Sequence, residues 1–178
     1  MNRMILSGLA VGLVVSLAWS SAGLSQEVKA YDTASIGDFH VGGVITSDND
    51  WQEKWFTPRQ NVPNFETADT LRPGDMATLL TFFSGAAQKD GTTLLKCDVE
   101  VITPTGETQT FQTDECAPTK LSGPPTDVYL TRLNIDLGAT PEDPPGKLTF
   151  RIVITDVNSG QHLELELSTL IETGETRL

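Results

Sequence analysis

Two histidines are the side chains best suited to acid–base catalysis, and they lie far apart in the sequence. His40 stands between Phe39 and Val41, and His162 precedes the alternating segment that contains Glu164. A zinc site needs at least three converging ligands, which this spacing does not provide. No GxSxG sequence surrounds a serine, and no glycine-rich phosphate loop is present. The sequence therefore predicts a non-enzyme without a cofactor, in which both histidines are ordinary strand residues.

Carboxylates form the second set of candidate ligands. Asp48 and Asp50 offer oxygen atoms at alternate positions, as calcium-binding loops do, and Glu142-Asp143 and Asp156 fall in other loops. The pattern lacks the glycine and the terminal glutamate of an EF-hand loop. We therefore expect these residues to serve turns and caps, with Asp48 and Asp50 as weak calcium candidates and no metal site assigned.

Trp51, Trp55 and Phe56 form the densest aromatic cluster after the leader. Asp50 is placed as the N-cap of a short helical turn at 51–56, on which Trp51 and Trp55 share one face. One interpretation is that these rings cap the open end of the fold and are buried there. The other is that they form a binding surface for sugar rings or for apolar side chains of a partner.

The first 25 residues have the layout of a secretory signal peptide. Arg3 is followed by an apolar run, Met4 to Trp19, and then by small residues. That run is shorter than the roughly 20 residues that cross a bilayer as a helix. We therefore predict cleavage after Ala22 or Ser25, a periplasmic or secreted location, and no permanent membrane span after cleavage.

The acidic balance of the chain restricts its partners. It has 24 acidic and 12 basic residues, a formal net charge of −12 at pH 7. Such a surface repels nucleic acid and anionic lipid. The partner predicted for the exported protein is therefore a protein or a glycan in the cell envelope or outside it.

The mature chain alternates apolar and polar residues with period two, and turn residues interrupt the pattern at short intervals. This predicts an all-β fold in a single domain at 38–173. Residues 26–37 are an N-terminal segment whose order the sequence leaves open, and 174–178 are a C-terminal tail. The predicted strands are 38–47, 65–71, 75–84, 93–103, 107–113, 127–137, 147–156 and 162–172.

The last two strands read as a hairpin around the turn 157–160. A register with Asp156 opposite Gln161 puts the apolar residues on one face and pairs Arg151 with Glu166 on the other. The apolar pairs that follow from this register are Ile154 with Leu163, Ile152 with Leu165, and Phe150 with Leu167.

The hairpin before it requires a different turn. A two-residue loop would put Phe111 on the charged face of its strand pair, whereas a three-residue loop, 104–106, sets Phe111 opposite Val99. That loop has proline where φ is negative and glycine where φ must be positive, so we predict the three-residue loop.

The two cysteines, Cys97 and Cys116, are predicted to form a disulfide because the chain is exported. With the register above, Cys116 would lie roughly 10 Å from Cys97 if the strand continued straight. A disulfide requires Cα atoms within about 7 Å, so the chain must bend back at Asp114-Glu115.

Two segments carry a family resemblance. Leu71-Arg72-Pro73-Gly74-Asp75 before an apolar strand, and the run from Pro144 to Ile152 before a closing hairpin, resemble the C-terminal half of bacterial immunoglobulin-like and fibronectin type III-like domains. The resemblance implies an antiparallel immunoglobulin-like β-sandwich of seven or eight strands and no particular activity.

The chain departs from antibody-type domains in two ways. Its cysteines are only 19 residues apart, and Trp51 and Trp55 precede both. Neither Tyr31 nor Tyr129 stands at the start of the penultimate strand, where a tyrosine corner is found; Leu148 does.

From the sequence we predict an exported, non-enzymatic binding or accessory protein. Alternatives are a carbohydrate-binding module that uses the Trp51 and Trp55 region, a small secreted hydrolase that uses His40 or His162, and a purely structural protein. A hydrolase requires one of these histidines in a pocket, within hydrogen-bonding reach of Ser, Asp or Glu.

Overall fold

The computed structural model describes residues 27–57 and 63–173, and the predicted signal peptide and C-terminal tail lie outside these ranges. Within them, the chain forms strands and one short helix, and no helix there is long and apolar enough to cross a membrane. The elements are β1 (Tyr31–Ile36), β2 (Phe39–Thr46), α1 (Trp51–Phe56), β3 (Thr70–Leu71), β4 (Met76–Ser84), β5 (Leu95–Ile102), β6 (Thr108–Thr113), β7 (Tyr129–Gly138), β8 (Gly146–Asp156) and β9 (Gln161–Ile171).

The strands form two sheets. Sheet A has four strands in the order β1-β2-β4-β7, and sheet B has five in the order β3-β9-β8-β5-β6. Neighbouring strands are antiparallel except β3, which pairs with β9 in parallel. The all-β prediction and the short helix at 51–56 are confirmed.

The main core lies between the inner faces of the two sheets. Period-two alternation turns one apolar face of each strand inward, so Phe83 of sheet A and Phe150 of sheet B are each 1% exposed. At Gly43 the facing layer leaves no room for a side chain, because an added Cβ would lie 2.9 Å from a methyl carbon of Leu167. Other fully buried core residues are Phe39, Ile45, Leu79, Leu95, Ile152, Ile154 and Leu165.

The predicted registers of both C-terminal hairpins are confirmed. Asp156 pairs with Gln161, which brings the three apolar pairs of β8 and β9 to the inner face of sheet B. Phe111 pairs with Val99 across the loop 104–106. Phe111 nevertheless remains 40% exposed, because β6 is the edge strand of sheet B.

The structure differs from the sequence prediction in two segments, one with an additional strand and one with a shortened strand. Within the segment 26–37, residues 31–36 form β1, which pairs with β2 through the tight turn at Gly37-Asp38, where φ of Gly37 is +59°. The strand predicted at 65–71 is reduced to β3 and one isolated bridge between Thr46 and Thr67. The reason is that Phe65 turns away from the core to pack on the outer face of sheet A.

The segment before β1 closes one side of the sandwich by covering the free edge of β9. The backbone N–H of Ser168 donates to the carbonyl of Lys29, and the N–H of Glu166 donates to the carboxylate of Asp32. Asp32 is also ion-paired with Lys29. This carboxylate therefore joins sheet A to sheet B through donors that favour its ionised form.

Stability should fall in acid through Asp32. Burial alone would raise the pKa of Asp32, but hydrogen bonds from Lys29 and from the N–H groups of Glu166 and Thr33 hold it below its ordinary value of 3.8. A carboxyl whose pKa is lowered by folding stabilises the fold above its unfolded pKa, and this contribution is lost as the pH falls through the folded pKa. We expect the free energy of unfolding, measured in urea, to decline below about pH 4. The decline should be shallower in Asp32→Asn, and an identical slope in both proteins would contradict this assignment.

The disulfide closes the opposite side of the sandwich. Cys97 and Cys116 are bonded with Cα atoms 5.8 Å apart, and the chain turns at 114–115, as predicted. The N–H of Cys116 donates to the carbonyl of Leu95 in β5, and the carbonyl of Cys116 accepts from the N–H of Arg132 in β7. Cys116 is thus the point at which sheet B and sheet A are bridged on this side.

Candidate functional site

The helix α1 lies on the outer face of sheet A. Trp51 is 8% exposed and packs in a second apolar cluster with Val44 of β2 and Leu80 of β4. Of the two interpretations of these rings, burial holds for Trp51, but it is buried over the face of sheet A and not at the open end of the sandwich. Trp51 therefore has no free ring face on which a ligand could stack.

An aromatic cluster continues from α1 across this face. The ring centroid of Trp55 is 5.1 Å from that of Phe82, and the ring of Phe65 is stacked with that of Phe82 at a centroid distance of 5.9 Å. Trp55, Phe65 and Phe82 are each half-buried, while Phe56 is 71% exposed. Phe82 is thus the centre of the cluster, and Phe56 points away from it to solvent.

Beside this cluster lies a groove of about 600 Å³, which we call the sheet A groove. Its floor is the outer face of β2 and β4 around Gly42. One wall is formed by Phe65 and Phe82, and Tyr31 of β1 and Val128 also line it. Both Tyr31 and Val128 are exposed large apolar residues, which is typical of a binding surface when such residues are contiguous.

The sheet A groove is electrically neutral apart from one histidine. None of the described residues that line it is Asp, Glu, Lys or Arg; its polar groups come from hydroxyls such as Thr33 and Ser84, from Asn64 and from His40. Charged residues make up 20% of the chain. Depletion of charge together with enrichment of aromatic residues distinguishes the centre of binding interfaces from ordinary surface.

Gly42 leaves the floor of the groove open. A Cβ atom at this position would meet only Thr33 Cγ2 at 3.5 Å and a backbone oxygen at 3.8 Å, which are ordinary contacts. Gly42 is therefore not required by packing, in contrast to its neighbour Gly43. A side chain introduced at Gly42 would project into the groove without disturbing the core.

The two histidines lie on different sheets. His40 lines the sheet A groove opposite Ser35 and Ser84 in the strand registers, but no hydrogen bond joins its side chain to another described residue. His162 is exposed on β9, opposite Thr155. The described residues thus contain no hydrogen-bonded pair of histidine with Ser, Asp or Glu of the kind that a hydrolase requires.

The calcium candidates are occupied by donors of the protein itself. The carboxylate of Asp48 accepts from the Lys54 ammonium and from the N–H of Glu66. Burial raises the pKa of Asp48, but these two donors outweigh it and hold the pKa below the ordinary value. Asp50 lies 3.6 Å from the same ammonium and makes no side-chain cap to α1. Both carboxylates thus face the ammonium of Lys54, and no cluster of three potential metal ligands occurs among the described residues.

Asp156, one of the other loop carboxylates, fixes a turn. Its buried carboxylate accepts from the N–H groups of Ala87 and Asn158 and from the hydroxyl of Ser159. The side chain of Asn158 donates in turn to the carbonyls of Ala87 and Thr92. Asp156 therefore holds the loop 87–92 against the turn between β8 and β9.

None of the aromatic residues expected from the sequence to form a binding surface, Trp51, Trp55 and Phe56, lines the sheet A groove. Tyr31, Gly42, Phe65 and Phe82 come from four separate segments, and only the fold brings them together. One signal was present: Phe82 and Phe83 are consecutive in a strand, so one of the two must face outward. An outward phenylalanine requires a cover, and the aromatic residues of α1 supply part of it.

Comparison with known proteins does not assign a family. No family model matches the chain, and no curated protein matches it. Among solved structures, it is similar to Pseudomonas fluorescens alkylpurine DNA glycosylase AlkC bound to DNA containing an abasic site analog (11% identity, 59% of this chain and 28% of that one, TM-score 0.38). It is also similar to a family 123 glycoside hydrolase from Clostridium perfringens (10% identity, 75% of this chain and 28% of that one, TM-score 0.37). The chain thus spans about 28% of the length of each, and at these TM-scores neither similarity indicates a function.

Proposed function

We propose that this protein is an exported, non-enzymatic binding protein that associates with another macromolecule in the cell envelope or outside the cell, and that the sheet A groove is its binding surface. The observation that carries the proposal is the neutrality of a ring-lined groove in a chain of net charge −12. Interface centres are depleted in charge and rich in aromatic residues.

The groove favours a neutral, apolar segment of a partner protein. The rings of Phe65 and Phe82 and the exposed Tyr31 supply apolar contact area, and the open floor at Gly42 admits a bulky side chain. Burial of apolar surface contributes about 25 cal/mol per Å², so a few buried side chains suffice for measurable affinity. A charged group would lose its hydration in this groove without gaining an ion pair.

A glycan is the second candidate, and the rim of the groove favours it. Tyr31 is 57% exposed and stands beside the hydroxyl of Thr33. Aromatic rings stack on the apolar faces of sugars, and adjacent hydroxyls can exchange hydrogen bonds with the sugar. In this form of the glycan hypothesis, the sugar ring stacks on Tyr31 and not on Trp51 or Trp55.

Export and an immunoglobulin-like topology are parts of the same proposal. The buried disulfide supports export, because disulfides persist in oxidising compartments. The topology is supported by the adjacency of β9, β8 and β5 in one sheet and of β4 and β7 in the other. If β4 is taken as strand B, then β7 corresponds to strand E, and β5, β8 and β9 correspond to strands C, F and G. Immunoglobulin sandwiches group these strands in the same way, with B and E in one sheet and C, F and G in the other.

The groove can be tested by substituting its floor. In Gly42→Glu a carboxylate projects into the groove, whereas Gly42→Ala adds one methyl group in ordinary contact. The neutral dye N-phenyl-1-naphthylamine, whose fluorescence rises in apolar sites, serves as the ligand. We expect saturable binding to the wild-type protein and to Gly42→Ala, and at least tenfold weaker binding to Gly42→Glu, which corresponds to about 1.4 kcal/mol.

The macromolecular partner is tested with the same two variants. Envelope and secreted fractions are passed over immobilised protein, and an array of neutral oligosaccharides is probed in parallel. A partner protein retained by Gly42→Ala and lost with Gly42→Glu supports the proposal, and the same pattern on the array supports the glycan candidate. Equal dye binding by all three proteins, or none by the wild-type protein, would show that the groove is not a binding site.

A further inference from the structure

The edge strand β6 has an outer edge that the described part of the chain leaves uncovered. On β9, the outward N–H groups of Glu166, Ser168 and Leu170 are bonded to Asp32, Lys29 and Asp69. On β7, the N–H of Arg132 is bonded to Cys116. β3 has only two residues. By contrast, all six residues of β6 are exposed, and β5 is its only neighbour in the sheet.

The hydrogen-bond pattern identifies which backbone groups of β6 point outward. The N–H of Thr103 donates to the carbonyl of Glu107, and the carbonyl of Leu95 accepts from the segment beyond β6. Odd-numbered residues of β5 therefore bond toward β6, and their partners in the register are 109, 111 and 113. The N–H and C=O groups of Thr108, Thr110 and Gln112 consequently point away from the sheet, and no described residue bonds to these N–H groups.

β6 lacks the features by which proteins protect such edges. Lysine, proline, inward-pointing charges and bulges are the usual protections. The sequence of β6, Thr-Gln-Thr-Phe-Gln-Thr, contains none of the first three, and its pairing with β5 runs without a register shift. Phe111 adds exposed apolar surface on the side that faces the core of the sandwich. An edge of this kind is suited to accept an additional strand.

The charges around β6 disfavour a second copy of the chain. Antiparallel pairing of two β6 strands would extend sheet B across both copies and set their outer faces side by side. That face is acidic: beside β6 lies a depression of about 820 Å³ whose charged lining is Asp32, Asp98, Glu100, Arg151, Glu164 and Glu166. Two such faces brought next to each other repel.

The single basic residue of this depression is already engaged. Arg151 donates to Glu100 at 3.2 Å and to Glu166 at 3.1 Å. Asp98 lies opposite Gln112 of β6, and Glu100 lies opposite Thr110. A strand added beside β6 would place its outward side chains next to Thr110 and Gln112, about two strand spacings from these carboxylates and within the range of screened Coulomb attraction.

We propose that β6 binds an extended segment of a partner protein as a sixth strand of sheet B. The segment alternates basic and apolar residues. Its basic side chains face the depression with Asp98 and Glu100, and its apolar side chains cover Phe111. This site lies on the opposite sheet from the sheet A groove and does not depend on it.

The test uses an eight-residue fluorescein-labelled peptide that alternates lysine and valine, with a glutamate–valine peptide as the charge control. Thr110→Pro removes an outward N–H that takes no part in the ladder, a position at which edge strands tolerate proline. Thr110→Val keeps the N–H and is the matched control. By fluorescence anisotropy at 20 mM salt, we expect binding to the wild-type protein and Thr110→Val, and at least tenfold weaker binding to Thr110→Pro.

A variation of the peptide checks the result without changing the protein. If all backbone amides of the peptide are N-methylated, the peptide keeps its charges but cannot donate to β6 in either strand direction, and binding should be lost. Equal binding of the methylated peptide, of the glutamate–valine peptide, or by Thr110→Pro would overturn the proposal, as would no binding to the wild-type protein at millimolar peptide. A concentration-dependent dimer that Thr110→Pro abolishes would also overturn it in favour of self-association.

Discussion

Replacing Phe150 by alanine should destabilise the protein by about 3–5 kcal/mol, while the same replacement at Phe111 should cost under about 1 kcal/mol. Both phenylalanines are in strands of sheet B. Phe150 is 1% exposed at the centre of the core and pairs with Val101 and Leu167, whereas Phe111 is 40% exposed on the edge strand β6. The buried ring leaves a cavity when it is removed, and the exposed ring leaves none.

Urea unfolding of the two variants measures this difference directly. The midpoint should fall strongly in Phe150→Ala and little in Phe111→Ala, with similar slopes against urea concentration, because a change in midpoint at constant slope reports stability. Similar losses in both variants would mean that β6 is covered by sheet A in solution. The proposed partner segment would then lose its apolar contact with Phe111, although the outward backbone groups of β6 would stay free.

The two phenylalanines also show what a sequence can predict. Alternation and turn chemistry correctly predicted that Phe111 pairs with Val99 and that Phe150 pairs with Leu167. The sequence around each hairpin determines these pairings, because the turn type fixes the register of the two strands. Whether a residue on the inner face of one sheet is covered depends on how many strands the opposite sheet has. Sheet A has four strands and sheet B five, and strand patterns do not give that difference.

The sheet A groove was unpredictable for a related reason. Its walls come from β1, from β4 and from the connection after α1, so it exists only once the hairpin β1–β2 is in place. The sequence does not indicate whether residues 26–37 are ordered, and Tyr31 lies in this segment. The aromatic residues of α1 were recognised, but period-two patterns do not indicate which face of a sheet a helix covers.

The two concave regions on the outer faces of the sandwich differ in chemical character. The outer face of sheet A carries a neutral, ring-lined groove, and that of sheet B carries a depression with five carboxylates and one arginine. A protein selected only to be soluble has no need to separate neutral and acidic surface in this way. The separation supports an accessory role in which the two faces contact groups of different chemistry.

The disulfide should contribute about 3 kcal/mol to stability, and its removal in a Cys97→Ala, Cys116→Ala double variant tests this. Both cysteines are buried, at 1% and 0% exposure, so alanine adds no buried polar group. The bond closes a loop between residues 19 positions apart, and the chain-entropy account attributes its effect to restriction of the unfolded chain. For a domain of this size, the melting temperature should fall by roughly 6–12 °C.

The slope of urea unfolding distinguishes two origins of this loss. If the disulfide acts on the unfolded chain, its removal lets that chain expand, and the slope should rise in the double variant. If it acts chiefly by holding Cys116 between Leu95 and Arg132, the slope should stay constant while the N–H groups of Cys116 and Arg132 lose protection from hydrogen exchange. The wild-type protein unfolded with a reductant present should match the double variant. A loss below about 1 kcal/mol in both would show that the packing of the sheets, and not the cross-link, determines the stability of this side of the sandwich.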